Sequence, residues 1–249
     1  MKIVGIIPAR MGSSRFPGKP LAPICGKPMI EHVYKRSAMS KTLDELYVAT
    51  CDSEIYDTVI KFGGKAIMTS DCHERCTDRI AEAVDNIEAD IIVNIQGDEP
   101  LILPEMIDQA LNPLIEDETI LCSNLMAEIS NDKDFEDPNE VKVVVDLDNF
   151  ALYFSREAIP SKKKGAENVI GLKQVCIIPF RRDFLFKYTK LSPTPLEIIE
   201  SVDMLRAIEH GYKVKMIKTQ YETYSVDNME DLNKVETLMK TDELFKEYS

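Results

Sequence analysis

The feature that most constrains this chain is a rhythm in its first hundred or so residues, where short apolar runs alternate with segments of helical periodicity. Ile3–Pro8, Leu46–Thr50, Lys65–Met68 and Asp90–Ile95 read as strands. Between them, Met29–Met39, Glu54–Phe62 and Thr77–Ile87 carry apolar residues at helical spacing, with Ile80, Ala81, Val84 and Ile87 on one face of the last. Pro104 suits the first turn of a further helix running to about Leu114. Strands alternating with helices at such short intervals pair in parallel, through right-handed crossovers, with helices on both faces of the sheet. In sheets of this kind ligands bind beyond the carboxyl ends of the strands, where the strand order reverses. Two loops are therefore marked, Ala9–Pro20 after the first strand and Gln96–Pro100 after the fourth.

The second half is less regular. Lys142–Val145 and Ala151–Phe154 form a strand pair turned through Asp148-Asn149, Leu172–Pro179 is another strand, and Pro195–Glu209 and Asn228–Met239 are helices. No internal repeat, low-complexity tract or linker separates independent domains, so one domain is expected over residues 1–249. At 44% hydrophobic and 29% charged residues the composition is that of a globular protein. A net charge of −13 argues against nucleic acid as a partner, since binding to phosphate backbones needs dense Lys and Arg. No stretch approaches the ~20 apolar residues of a membrane span. Of the six cysteines only Cys72 and Cys76 are close, and a Cys-x3-Cys pair around His73 is a poor zinc signature. Reduced thiols and a cytoplasmic location are the expectation.

In the first loop, Arg10, Arg15 and Lys19 interleave with Gly12 and Gly18 and with Ser13 and Ser14. Glycines let backbone N–H groups converge on phosphate oxygens, and the cations balance their charge. The pattern is neither a Walker loop nor a dinucleotide turn. In the second loop the apolar strand ends in Gln96-Gly97-Asp98-Glu99-Pro100. Carboxylates at that edge suit Mg2+, which takes one or two protein carboxylates and completes its shell with phosphate oxygens and water.

Together these segments resemble a known family. Pro8-Ala9-Arg10-x4-Arg15-x-Pro17-Gly18-Lys19-Pro20, Gly26-Lys27-Pro28-Met29-Ile30, Val48-Ala49-Thr50, Thr77-Asp78-Arg79 and Gln96-Gly97-Asp98-Glu99-Pro100 look like the cytidylyltransferases that activate 3-deoxy-manno-octulosonate (Kdo). The likeness continues through Asn139-x-Val141-Lys142-Val143-Val144, Ala151-Leu152-Tyr153-Phe154-Ser155-Arg156, Ser192-Pro193-x-Pro195-Leu196-Glu197-x-x-Glu200 and Val226-Asp227-x-x-Glu230-Asp231-Leu232. The resemblance implies a Rossmann-like α/β nucleotide-diphospho-sugar transferase fold, with a mostly parallel central sheet and a smaller β-rich acceptor and dimerisation lobe. It implies a nucleotide-binding half over about residues 1–130, an acceptor half over about 131–225, a closing helix over 228–240, and a homodimer. It further implies CTP held by Pro8, Ala9, Arg10, Met11, Gly12, Ser13, Arg15, Lys19, Thr50, Asp52, His73, Thr77 and Asp98. Arg10, Lys19 and Asp98 would be catalytic, and Asp98 and Asp227 would bind Mg2+. Gln96, Arg156, Gln174, Glu197 and Glu200 would hold the sugar acid, whose anomeric hydroxyl attacks the α-phosphorus and expels pyrophosphate. Without the resemblance, Val226-Asp227-Asn228 is an ordinary helix cap, and Glu197 with Glu200 is a solvated helix edge.

The chain departs from the family pattern in one strand. Gln174 stands where a His is usual, Cys176 and Pro179 replace glycines, and Ile178 and Phe180 replace tyrosines. Loss of hydroxyl-binding groups from a sugar pocket shifts its preference, so plain Kdo is expected to be a poor substrate. Two other readings stay open: a cytidylyltransferase for another acid, such as an amino-sugar acid or a phosphonate, and a nucleotide-binding protein without catalysis.

Overall fold

The computed structural model describes residues 1–12, 16–73, 75–163 and 169–249. The chain divides into two compact units, Met1–Asp108 with Thr223–Ser249, and Gln109–Glu222. The division thus falls before the expected position near residue 130, and the closing helix belongs to the first unit.

The first unit opens with β1 (Ile3–Ala9). A two-residue hairpin follows, β2 (Pro23–Ile24) and β3 (Lys27–Pro28), whose central residues Cys25 (φ 47°) and Gly26 (φ 82°) both take the left-handed conformation a type I′ turn requires. Then come α1 (Met29–Ser37), β4 (Glu45–Thr50), α2 (Ser53–Lys61), β5 (Ala66–Met68), α3 (Cys76–Ala83) and β6 (Ile91–Ile95). Helix α4 (Pro104–Glu116) carries the chain into the second unit. Apart from the β2–β3 hairpin, the strands of the first unit are all parallel, in the order β6-β1-β4-β5. Ile6, Ile7, Val48, Ile92 and Val93 are fully buried, as continuous apolar strands covered on both faces must be. The alternation in the sequence therefore gives the expected parallel sheet. Because β4 lies on one side of β1 and β6 on the other, the strand order reverses between β1 and β6. The Ala9–Pro20 and Gln96–Pro100 loops leave the carboxyl ends of these two neighbours.

The second unit holds β7 (Ser123–Glu128), α5 (Asp132–Glu136), β8 (Lys142–Val145), β9 (Ala151–Ser155), β10 (Leu172–Val175), β11 (Ile177–Arg181), α6 (Arg182–Tyr188), α7 (Pro195–Glu200), α8 (Met204–Glu209) and β12 (Lys215–Lys218). Its sheet is mixed, in the order β12-β7-β10-β8-β9, with β12 parallel to β7 and the other pairs antiparallel. Two expectations are corrected here. The apolar run Leu172–Pro179 is not one strand but two, β10 and β11, divided at Cys176. The helix expected over Pro195–Glu209 is interrupted at Ser201, which adopts φ 52° and ends α7, and α8 restarts after it. The chain then returns to the first unit and forms α9 (Met229–Met239).

Candidate active site

The site is built at the reversal point of the parallel sheet. Gly97 allows the two loops to meet, since a Cβ there would lie 3.2 Å from the carbonyl oxygen of Pro8 and press into β1. On the β1 side the Gly18 N–H donates to the Met11 carbonyl at 3.1 Å and closes the loop. Asp52, beyond the end of β4, accepts from the Met11 N–H at 2.8 Å and fixes where the loop begins. Ser13, Ser14 and Arg15 lie outside the described residues.

Lys19 connects three parts of the chain. Its Nζ donates to Asp98 Oδ2 at 2.9 Å, to the Val226 carbonyl at 2.8 Å and to Asp227 Oδ1 at 3.4 Å. The Val226 N–H in turn donates to the Asp98 carbonyl at 2.9 Å, so the segment before α9 lies along the end of β6. The helix cap is Asn228, whose Oδ1 accepts from the Glu230 and Asp231 N–H groups. With capping assigned to Asn228, Asp227 turns its carboxylate to Lys19 instead. Asp227, which the family resemblance implies as a metal ligand, therefore faces Lys19 together with Asp98. The carbonyl of Val226 is a partner that sequence reasoning missed, since nothing in a valine marks its backbone for such a role.

Two carboxylates converging on one cation are a hard-oxygen donor set. Among the described residues no cluster of three or more His, Cys, Asp or Glu side chains could hold an ion. Asp98 with Asp227 fits Mg2+ as the ion is held when substrate phosphates complete its octahedron.

At the end of β1, Pro8, Ala9 and Arg10 line an open pocket together with His73, Arg75, Cys76 and Arg79. Its far wall is held from behind. Buried Arg79 donates to Thr69 Oγ1 and to the Ser70 carbonyl. Glu82 accepts from the Ser70 N–H and pairs with His73. Burial pulls the Glu82 carboxyl upward, but the His73 ring and the Ser70 N–H outweigh it and hold it below the usual carboxylate value.

Several expected ligand contacts are corrected. Thr50 is fully buried and its Oγ1 accepts from the Asp52 N–H, so it supports the loop rather than a ligand. Thr77, 2% exposed, is buried in the first turn of α3. In the second unit Glu197 is fully buried, receives two bonds from Arg206 at 2.8 and 2.6 Å, and accepts from the Thr194 N–H at 3.3 Å. A carboxylate with both oxygens so engaged has no face left for a sugar hydroxyl. Glu200 accepts from Tyr153 Oη, Ser155 Oγ and the Arg156 N–H. Burial raises its pKa, but these donors override it and hold Glu200 below its ordinary value. Arg156 spends its guanidinium on the carbonyls of Pro138, Glu200 and Ser201. The structure therefore brings Arg156 and Glu200 together, as partners of one another. Gln96 and Gln174 are both half-buried, Gln96 just past β6 and Gln174 on β10. Phe180, fully buried, stacks on Phe184 and meets Tyr188 at a tilt, and Ile178 is 5% exposed. The substitutions at 178 and 180 are thus core exchanges, and the case against Kdo built on them loses its basis.

A sequence model of cytidylyltransferases matches residues 4–219. The 3-deoxy-manno-octulosonate cytidylyltransferase of Geotalea uraniireducens is 46% identical over 245 residues, spanning 94% of this chain and 98% of its own. That of Fusobacterium nucleatum is also 46% identical, over 96% of this chain and 98% of its own. A solved structure of CMP:2-keto-3-deoxy-manno-octonic acid synthetase complexed with CTP superposes with a TM-score of 0.91 at 42% identity, covering 96% of this chain and 99% of that one.

Proposed function

The chain belongs to the cytidylyltransferase family, and we propose that it transfers CMP from CTP to the anomeric hydroxyl of Kdo, releasing pyrophosphate. The observation that carries this is the convergence of Lys19, Asp98 and Asp227 where the parallel sheet reverses its order.

The chemistry follows from charge and position. Pro8, Ala9, Arg10, His73, Arg75, Cys76 and Arg79, which line one open pocket, would enclose the nucleotide, with Lys19 toward its phosphates. The hydroxyl oxygen of the sugar acid forms a bond to the α-phosphorus as the bond to the β-phosphate oxygen breaks. The hydroxyl proton leaves to solvent or to the departing pyrophosphate. Catalysis then consists of in-line placement and of balancing charge on the phosphates, the work of Arg10 and Lys19. Mg2+ held by Asp98 and Asp227 would supply further positive charge to the triphosphate.

A homodimer and a cytoplasmic location complete the reading. Leu147, Leu152, Ile198 and Ile199 of the second unit are exposed, which supports a second copy covering that unit. No helix among the described residues is long and apolar enough to cross a membrane, and Cys25, Cys51, Cys72 and Cys122 are free thiols. Steady-state pyrophosphate release tests the substrate pair. With CTP and Kdo, kcat/KM is expected above ~10^4 M⁻¹s⁻¹. A value a hundredfold lower, with a faster reaction on an amino-sugar acid or a phosphonate, returns the acceptor to that second class.

A further inference from the structure

We infer that the C-terminal segment Asp242–Tyr248 is a positioning element of the nucleotide site, clasping both flanks of the Lys19–Asp98–Asp227 centre from behind. The inference rests on the CTP reading above. One flank is held through Arg36 of α1, which is fully buried. Its Nη1 donates to Asp242 Oδ1 at 2.7 Å, its Nε to the Ile102 carbonyl at 2.7 Å, and its Nη2 to the Leu101 carbonyl at 3.3 Å. A buried guanidinium thus ties the tail to the loop that carries Asp98. Asp242 Oδ1 also accepts from the Phe245 N–H at 2.7 Å, which starts the final turn.

The other flank is held through His32, also fully buried. Its Nε2–H donates to the Ile24 carbonyl of β2 at 2.8 Å, and its Nδ1 accepts from Tyr248 Oη at 2.9 Å. Burial lowers the His32 pKa and pushes Tyr248 up to about 12, which keeps the ring neutral and the phenol protonated, as this pair of bonds requires. Phe245 stands 5.5 Å from the rings of both His32 and Tyr248. Ile24 belongs to the hairpin that follows the 3-10 turn Lys19–Leu21, and Cys25 in that hairpin donates its N–H to Glu236 of α9. Ala22, Ile24, Leu101, Val226 and Val235 form one buried cluster, against which Phe16 and Phe245 pack. None of the residues in this cluster comes from the four strands of the parallel sheet. Loosening it leaves that sheet its own core while freeing Lys19 to shift against Asp98, and small misplacements of a catalytic group are expensive.

The test is a chain ending at Asp242, which keeps the Arg36 pair and removes Phe245 and Tyr248. CTP binding is read by calorimetry and both KM values by pyrophosphate release. The expected result is a CTP Kd and KM raised about tenfold, with the KM for the sugar acid within about twofold of wild type. An unchanged CTP affinity, or an equal rise in both KM values, overturns the inference. If the shortened chain loses its cooperative melt, Tyr248→Phe decides. It keeps the ring and loses one buried hydrogen bond, and should weaken CTP about threefold, whereas wild-type affinity overturns the role of the tail. Failure of the intact chain to bind CTP would count instead against the proposed function.

Discussion

Replacing Lys19 by Ala removes a cation on which, among the described residues, Asp98 and Asp227 converge. A charge-assisted hydrogen bond is worth roughly 1.5–3 kcal/mol. The Lys19 side chain is 14% exposed and its partners 30% and 24%, so solvent screens both contacts. Taking the lower end for the 2.9 Å contact and less for the 3.4 Å one gives a loss of about 2 kcal/mol, or roughly thirtyfold in the folding equilibrium. The two carboxylates then lose this shared counter-charge, and Mg2+ is a group that would replace it. A ligand that binds only the folded state stabilises it by about 1.4 kcal/mol at ten times its Kd. The assay is thermal unfolding with and without Mg2+, in the absence of nucleotide. Wild type is expected to gain little from Mg2+, because an ammonium already stands between the carboxylates, whereas Lys19→Ala should recover much of its loss. The same variant should bind CTP far more weakly than wild type while its affinity for CMP changes less. An identical Mg2+ shift in the two proteins, or equal losses for CMP and CTP, would refute the reasoning.

Other perturbations separate ligand-facing carboxylates from structural ones. Asp98→Asn and Asp227→Asn should each lower turnover by orders of magnitude with a near-native circular dichroism spectrum, and normal turnover at saturating Mg2+ would remove that residue from the site. Glu197→Ala strands the buried Arg206 guanidinium and should cost about 3–5 kcal/mol in urea denaturation; a loss under 1 kcal/mol would reopen a sugar-binding role. Glu200, held below its ordinary value of 4.5, contributes stability that is full above that pH and lost as pH falls through its lower folded value. The stability gap between wild type and Glu200→Gln should therefore close on acidification, and a gap that widens below pH 4.5 would contradict the assignment of its donors.

Much of the first unit was legible because one physical rule decides each element. Apolar strands buried on both faces alternate with amphipathic helices, and the ligand edge follows from the parallel connection. What the sequence concealed lies where a side chain serves backbone. Thr50 and Asp52 both sit beside a strand end, and only the fold shows that Thr50 hydrogen-bonds the next turn while Asp52 reaches back to Met11. Glu197 and Glu200 share the spacing of a substrate-facing pair, yet the break at Ser201 folds α8 back so that Arg206 takes Glu197. A left-handed serine has no sequence signal as strong as glycine's. The strand of altered residues misled for a related reason. A Tyr-to-Phe exchange reads as a lost hydroxyl, and whether that hydroxyl would meet ligand or core depends on burial that one sequence does not display. The role of the tail is equally unmarked, since Asp242 and Tyr248 meet Arg36 and His32 only after more than 200 residues of intervening chain.

On the proposed function, the Lys19–Asp98–Asp227 centre directs a sugar hydroxyl onto the α-phosphorus of CTP. Phosphorus NMR of a reaction containing the protein, CTP, Mg2+ and Kdo follows the phosphates directly. The account predicts one new phosphodiester resonance appearing in equal amount with pyrophosphate, dependent on Kdo and abolished in Asp98→Asn. Release of inorganic phosphate with CDP, or formation of pyrophosphate and CMP irrespective of Kdo, would contradict it.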